Sequence, residues 1–234
     1  MPNFGYEKEI WNKGYKLIAG VDEVGRGCFA GPVAAGCVIF NKQIGHSVIS
    51  KYANEGIIIN DSKKMSAKQR GVADRWIRKN AAGYGVGSAS VFQINKFGIK
   101  KATEIAFRKA IVNCLPSAGG KLKIDHLLID AFYIPYVKGL RRKNQLAIVK
   151  GDTKSISIAA ASIVAKVYRD KLMTALAKDK GYKKYKWHKN KGYGTKEHRQ
   201  AIKRYGITKL HRKKFVQTYQ EKIGLLGSRV SDLS

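Results

Sequence analysis

The chain has 234 residues, with 46 Lys+Arg against 16 Asp+Glu, a formal net charge of +30 and 44% hydrophobic residues. That length and apolar content fit a packed core and exclude a disordered polyelectrolyte, and so large a positive charge points to a polyanionic partner. No apolar run is long enough for a membrane span, no charged-then-apolar leader is visible, and Cys28, Cys37 and Cys114 form no Cys-x-x-Cys pair, which argues for a reducing, cytoplasmic setting over a disulfide framework or zinc ribbon.

The predicted elements alternate. A short apolar strand at 17–21 leads into Asp22 and Glu23, and a second run at 32–40 reads as its antiparallel neighbour after a glycine-rich turn. Ser66-Ala-Lys-Gln69 is a capping box that opens a helix running to about residue 80. Residues 83–89 form a third strand weakened by its glycines, and 99–115 has helical periodicity that stops before Pro116 and Gly119-Gly120. A compact strand at 124–129 ends on Asp130, and a shorter one at 146–149 leads to Lys150-Gly-Asp152. Ser155 caps a long helix from 156 to about 178 with one broad apolar face. Strands interleaved with helices predict an α/β layer architecture.

Composition changes after Asp179. Residues 180–194 are basic, aromatic and glycine-rich; Thr195 caps a helix that Gly206 ends, and another helix covers about 210–223. The expected organisation is a main domain over 1–179 with 180–234 as a basic, mainly helical extension packed on it, the last residues (227–234) frayed.

Three apolar segments deliver acids to their ends: Asp22-Glu23, Asp130 and Asp152. In open α/β sheets, function gathers at strand ends. Converging carboxylates repel one another, and a divalent cation relieves that repulsion; oxygen donors without His or Cys favour Mg²⁺ or Mn²⁺. Two such ions would suit phosphodiester hydrolysis. Taken singly, Asp152 fits a helix-dipole role as well and Asp130 an ion pair; it is their joint pattern that points to chemistry. Asp61 reads as a turn acid, while Asp170, beside Arg169, is open between a salt bridge and a supporting role. Gly25-Arg26-Gly27 has the physics of a backbone reader, since its glycines let main-chain groups approach a ligand and Arg26 can fork onto a phosphate. Tyr193, between two glycines, offers a stacking face, with a packed loop tyrosine as the alternative. The histidines at 46, 126, 188, 198 and 211 show no ligand spacing and read mostly as surface residues or phosphate partners.

Gly20-Val-Asp-Glu-Val-Gly-Arg-Gly27, Asp61-Ser-Lys-Lys64, Leu128-Ile-Asp130, Lys150-Gly-Asp152, the 159–166 alanine-rich run with Arg169-Asp170, Gly192-Tyr193 and His211-Arg212 through Phe215 follow one another in an order that resembles type 2 ribonuclease H, ribonuclease HII, over roughly 15–217. The resemblance implies an RNase H-like mixed five-stranded sheet flanked by helices, with a helical C-terminal part that grips the hybrid. It implies Asp22, Glu23, Asp130 and Asp152 as catalytic, metal-binding acids. Gly25, Arg26 and Gly27 would meet the ribonucleotide's 2′-OH and adjoining phosphates, and Lys63 and Lys64 would bind substrate. Tyr193 would stack on the following deoxyribose. The implied reaction is cleavage 5′ of a ribonucleotide, leaving 3′-OH and 5′-phosphate, in RNA·DNA hybrids and at ribonucleotides embedded in duplex DNA, by a monomer.

The sequence departs from the family pattern at Cys28-Phe29, where proline and leucine are common, and in the aromatic run Ala131-Phe-Tyr-Ile-Pro135. An intact Gly-Arg-Gly and a short N-terminal lead favour the type 2 over the type 3 enzymes. Two rival readings remain at this level: an RNase H-like DNA nuclease of resolvase or integrase type, and a basic nucleic-acid-binding protein whose acids form structural ion pairs.

Overall fold

The computed structural model describes residues 1–40, 42, 56–114 and 123–221. His46, Pro116, Gly119-Gly120 and the fraying expected at 227–234 lie outside the described residues.

The chain opens with a helix that the periodicity did not reveal, α1 (Gly5–Asn12). Its anchor is distant in sequence: buried Glu7 accepts hydrogen bonds from the Ser155 hydroxyl (2.6 Å) and the Ser157 N–H (2.9 Å). Phe4, Ile10 and Trp11 then complete the core on that side.

Strand β1 (Ile18–Val24) extends past the predicted run and holds Asp22 and Glu23 within it. It is followed by β2 (Val33–Phe40), α2 (Ala67–Asn80) and β3 (Gly83–Ala89). The capping box at Ser66 forms as expected, with Gln69 N–H donating to Ser66 Oγ and Ser66 N–H to Gln69 Oε1. Helix α3 (Val91–Cys114) begins well before residue 99, because Ser90 and Gln93 make a second reciprocal cap, and it breaks at Gly98, whose φ is 80°.

Next come β4 (His126–Asp130), β5 (Gln145–Ile148) and α4 (Ile156–Leu176), the last capped by Ser155. The sheet order is β3-β2-β1-β4-β5, with β1 antiparallel to β2, β2 antiparallel to β3, and β4 and β5 parallel to β1. This is the mixed five-stranded sheet expected, with α4 on one face and α3 on the other.

The α4 face is packed at backbone distance. A Cβ added at Gly36 would overlap the Ala161 carbonyl, and one at Gly20 would overlap the Ser157 carbonyl. Gly36→Ala must push β2 and α4 apart, and overpacking of this kind costs about 1–3 kcal/mol. A thermal melt of Gly36→Ala is therefore expected to fall by roughly 2–12 °C, at about 2–4 °C per kcal/mol for a chain of this size; an unchanged melt would contradict the packing described.

Beyond α4 the lysine-rich stretch is not a loose basic loop. It turns through Lys183–Tyr185 and Trp187–Asn190 and buries Tyr185 and Trp187 completely. Helix α5 (Lys196–Tyr205) has the expected Thr195 cap and Gly206 end. The following helix occupies 213–221 of the described residues and starts later than predicted, since 208–212 forms a turn instead. Tyr185, Trp187, Ile202 and Val216 share a cluster with Ala30 and Met173 of the main body. No helix among the described residues is long and apolar enough to cross a membrane.

Candidate active site

The sheet register gathers the acids. The last parallel pair between β1 and β4 is Val21 with Ile129, so Asp22 and Asp130 follow at the same end of neighbouring strands. Asp152 sits in the 3₁₀ turn Gly151–Thr153, which is held to β4 where the Gly151 N–H donates to Asp130 Oδ1 at 2.7 Å. Asp22 is 4% exposed and accepts the Glu23 N–H on Oδ1 at 2.7 Å. Glu23 Oε2 is buried without a hydrogen-bond partner among the described residues, and Lys63 Nζ lies 3.8 Å from Asp152 Oδ2.

These acids feel one another. Burial pushes the Asp22 carboxyl well above its ordinary range, and the charges of Glu23 and Asp130 add to this. Burial also raises Glu23, with Arg26 opposing and Asp130 reinforcing. Asp130 is raised by burial, eased by the Gly151 N–H, and raised again by Asp152. Like charges gathered in a partly apolar site are stable together only if something positive compensates them.

The donors are all carboxylate oxygens, one of them an orphan, which fits a hard divalent cation. Among the described residues no group of His, Cys, Asp and Glu already surrounds a single point in ligating geometry. The acids are assembled but not drawn in.

The Gly-Arg-Gly turn adjoins them directly. Gly25 has φ 88°, and a Cβ there would overlap the guanidinium of Arg169. Arg169 is fully buried and donates to the carbonyls of Pro32 (2.9 Å), Lys191 (2.8 Å) and Ala30 (3.1 Å). Arg212, also fully buried, donates to the carbonyls of Gly31 (3.0 Å) and Arg26 (2.7 Å). With the Arg26 carbonyl held inward by Arg212, the turn leaves Gly27 exposed and without a hydrogen bond among the described residues. The Arg26 guanidinium lies 3.3 Å from Glu23 Oε1 and 5.0 Å from the centre of the Phe132 ring. The aromatic run after Asp130 thus supports the arginine, a contact the sequence did not specify.

Tyr193 is brought to the same place. The Gly192 carbonyl accepts the N–H groups of Phe29 (2.8 Å) and Ala30 (3.1 Å), stitching the tyrosine loop to the residues that follow Gly27. The ring is 37% exposed, with Lys166 Nζ 5.7 Å and the Arg169 guanidinium 5.8 Å from its centre. Burial, with the Cys28 thiol, pushes its hydroxyl up to about 12.

Other expectations sort plainly. Lys63 reaches the acids, whereas Lys64 is exposed and bonds only through its N–H to the Asp61 carbonyl (3.0 Å). Asp61 is the turn acid expected, its Oδ1 accepting the Lys63 N–H at 2.9 Å. Asp170 is a salt-bridge acid, 2.8 Å from Lys166 Nζ and 3.6 Å from Arg70 Nη2. Two of the histidines read as surface groups are instead buried: His198 is 0% and His211 1% exposed, because Tyr185 and Trp187 pack against them. Ser162 was missed; its hydroxyl lies 2.9 Å from Ser62 Oγ and works to lower the Asp22 carboxyl against its burial.

A cluster of carboxylates at the shared end of β1 and β4, in this sheet order and on so basic a chain, defines a nuclease of the RNase H-like class. The sequence profile of ribonuclease HII matches residues 19–218, and the chain belongs to the ribonuclease HII family. It is therefore an endoribonuclease that acts on RNA in RNA·DNA hybrids.

Among its relatives, ribonuclease HII of Caldanaerobacter subterraneus subsp. tengcongensis is 46% identical over 218 residues, covering 93% of this chain and 80% of that protein. Ribonuclease HII of the Wolbachia of Brugia malayi is 45% identical, covering 92% of this chain and 93% of that protein. The fold is similar to ribonuclease H2 from Pyrococcus horikoshii, with TM-score 0.63, 22% identity, and coverage of 88% of this chain and 98% of that one. It is also similar to Bst-RNase HIII in complex with Mn²⁺, with TM-score 0.65, 18% identity, and coverage of 89% and 71%.

Proposed function

We propose that Asp22, Glu23, Asp130 and Asp152 are the catalytic acids, that they hold Mg²⁺ or Mn²⁺, and that the enzyme cuts the phosphodiester 5′ of a ribonucleotide, leaving 3′-OH and 5′-phosphate. The observation that carries this reading is the register placing Asp22 beside Asp130, with Glu23 Oε2 orphaned between burial and the adjoining Gly-Arg-Gly turn. Held by these four acids, a divalent ion would supply an activated water and charge neutralisation at the leaving oxygen.

The protein's own residues do the selecting. Gly25, Arg26 and Gly27 present main-chain groups and a guanidinium to one ribose and its phosphates, and the 2′-OH is the handle that distinguishes RNA from DNA at a single position. Arg26, held against Glu23 and Phe132, is preorganised to fork onto a phosphate. Tyr193 stacks on the sugar that follows, and Lys63 and Lys64 neutralise phosphates. The 180–234 segment is an extension of the catalytic body, and the enzyme works as a monomer on hybrids and on duplex DNA carrying single ribonucleotides.

The test is product mapping on an end-labelled DNA duplex with one ribonucleotide, in Mg²⁺ and then in Mn²⁺. The expected products are a DNA strand that a polymerase can extend and a fragment whose 5′-phosphate sits on the ribonucleotide. Cutting 3′ of the ribonucleotide, or a product with a 2′,3′-cyclic end, would sink the proposal.

Two further results are expected. Tyr193→Ala lowers kcat/KM at isolated ribonucleotides by about tenfold, a lost sugar–aromatic contact being set near the low end of the base–aromatic range, with a melt close to that of the parent; unchanged cleavage removes Tyr193 from substrate reading. Binding of an uncleavable duplex weakens with salt with a log–log slope of about −4 or steeper, for some five phosphates neutralised at about −0.9 each. A slope near zero would contradict a backbone-tracking basic surface.

A further inference from the structure

Three buried polar side chains of the C-terminal segment have no part in the reaction as proposed: His198, His211 and Arg212. The hydrogen bonds of the two histidines form one directed path. The Thr208 N–H donates to His211 Nδ1 at 2.9 Å, so the His211 proton belongs on Nε2. From there it points to His198 Nε2 at 3.2 Å, which also accepts the Trp187 indole N–H at 3.1 Å. With Nε2 accepting twice, His198 carries its proton on Nδ1 and donates it to the Tyr193 carbonyl at 2.9 Å.

The path requires both rings to be neutral, since protonation of either would set two N–H groups against each other. Burial supplies that condition, holding His198 below its ordinary range and His211 down at about 4.

The adjacent residue reaches the other way. Arg212 donates from its main chain to the Phe29 carbonyl (2.7 Å) and from its guanidinium to the carbonyls of Gly31 (3.0 Å) and Arg26 (2.7 Å). The Leu210 carbonyl accepts the Gly31 N–H at 2.9 Å. The 208–212 turn therefore reaches both substrate-reading elements, Arg26 directly and Tyr193 through His198. Filling this space would need only apolar side chains; two histidines in series and a buried arginine cost desolvation, and in return they fix direction at a main-chain carbonyl on each side.

We propose that the 208–212 turn is a keystone that sets the spacing between the two readers: Arg212 fixes the carbonyl of Arg26, and His211, through His198, fixes the carbonyl of Tyr193. His198, His211 and Arg212 are then positioning residues for discrimination at the junction between ribose and deoxyribose. This rests on the reading that residues 25–27 meet the 2′-OH and that Tyr193 stacks on the next sugar.

The readout is a ratio: kcat/KM for one ribonucleotide embedded in duplex DNA over kcat/KM for a continuous RNA·DNA hybrid. His211→Leu and His198→Leu are expected to lower that ratio by about fivefold, on the scale of one hydrogen bond, while cleavage of the continuous hybrid changes by less than about twofold. His198→Asn, whose amide nitrogen takes the place of Nδ1, is expected to recover most of the ratio. Proportional loss on both substrates, or an Asn variant no better than Leu, would overturn the keystone and leave a purely structural cluster. If His211→Leu does not fold, the His198 pair decides. Tyr193→Ala in the same assay separates the two levels: an unchanged ratio there refutes the stacking reading itself, whatever the histidine variants do.

Discussion

Asp22→Asn is expected to lower cleavage by roughly 10³-fold, the scale on which a preorganised electrostatic element aimed at the reacting phosphate is lost. The same change is expected to raise the metal-free melting temperature. The Asp22 carboxyl is raised in the fold by burial and by Glu23 and Asp130. A group with a raised folded pKa contributes stability below its unfolded pKa and loses it as pH rises through the folded one. At neutral pH, then, the buried acid cluster works against the fold. Asn removes the buried ionisable group while its side-chain oxygen can still accept the Glu23 N–H that Asp22 Oδ1 now accepts at 2.7 Å.

A gain of a few degrees is expected, at about 2–4 °C per kcal/mol. Mn²⁺ should raise the melt of the parent, because a ligand that binds only the folded state stabilises it, and should raise that of Asp22→Asn far less. Near-normal turnover in Asp22→Asn, or a melt that falls as for any damaged core position, would remove Asp22 from the centre of the chemistry.

Gly25→Ala is expected to cost both fold and activity. The position has φ 88°, and a new methyl would overlap the Arg169 guanidinium. Arg169 cannot give way cheaply, because three carbonyls hold it: Pro32, Lys191 and Ala30. The expected penalty is at least about 1–3 kcal/mol, with cleavage of a single ribonucleotide down by roughly 100-fold as the turn loses its shape. Gly27→Ala is the control. Nothing lies within 4 Å of its would-be Cβ and its φ is not positive, so its melt should stay near the parent's. Any loss of cleavage there reports crowding of the substrate. Equal melts for the two variants would contradict the account of Arg169 as a rigid wall behind Gly25.

Much of this site was readable in the chain because its parts are local. Apolar strands that end in Asp22-Glu23 and Asp130 announce themselves, and Ser66, Ser155 and Thr195 each cap the helix expected. What stayed hidden depends on distant partners. Helix α1 is fixed by Glu7 bonding across to Ser155 and Ser157, and no local pattern encodes that. Strand β3 looked faint because Gly85 and Gly87 let its backbone lie against α3, so its missing side chains are a packing feature. His198 and His211 read as surface residues because a lysine-rich neighbourhood masks the burial that Tyr185 and Trp187 impose. The acids were legible as a set, but which of them stand beside one another was not, since that follows from the β1–β4 register.

In the proposed mechanism, one ribose hydroxyl, read beside the acid cluster, licenses the cut. The most direct test uses two duplexes of identical sequence that differ by a single 2′-OH, incubated with the enzyme and Mg²⁺ or Mn²⁺. One cut is expected, immediately 5′ of the ribonucleotide, and none in the all-DNA duplex. Comparable cleavage of both, or none of either with binding intact, would contradict it.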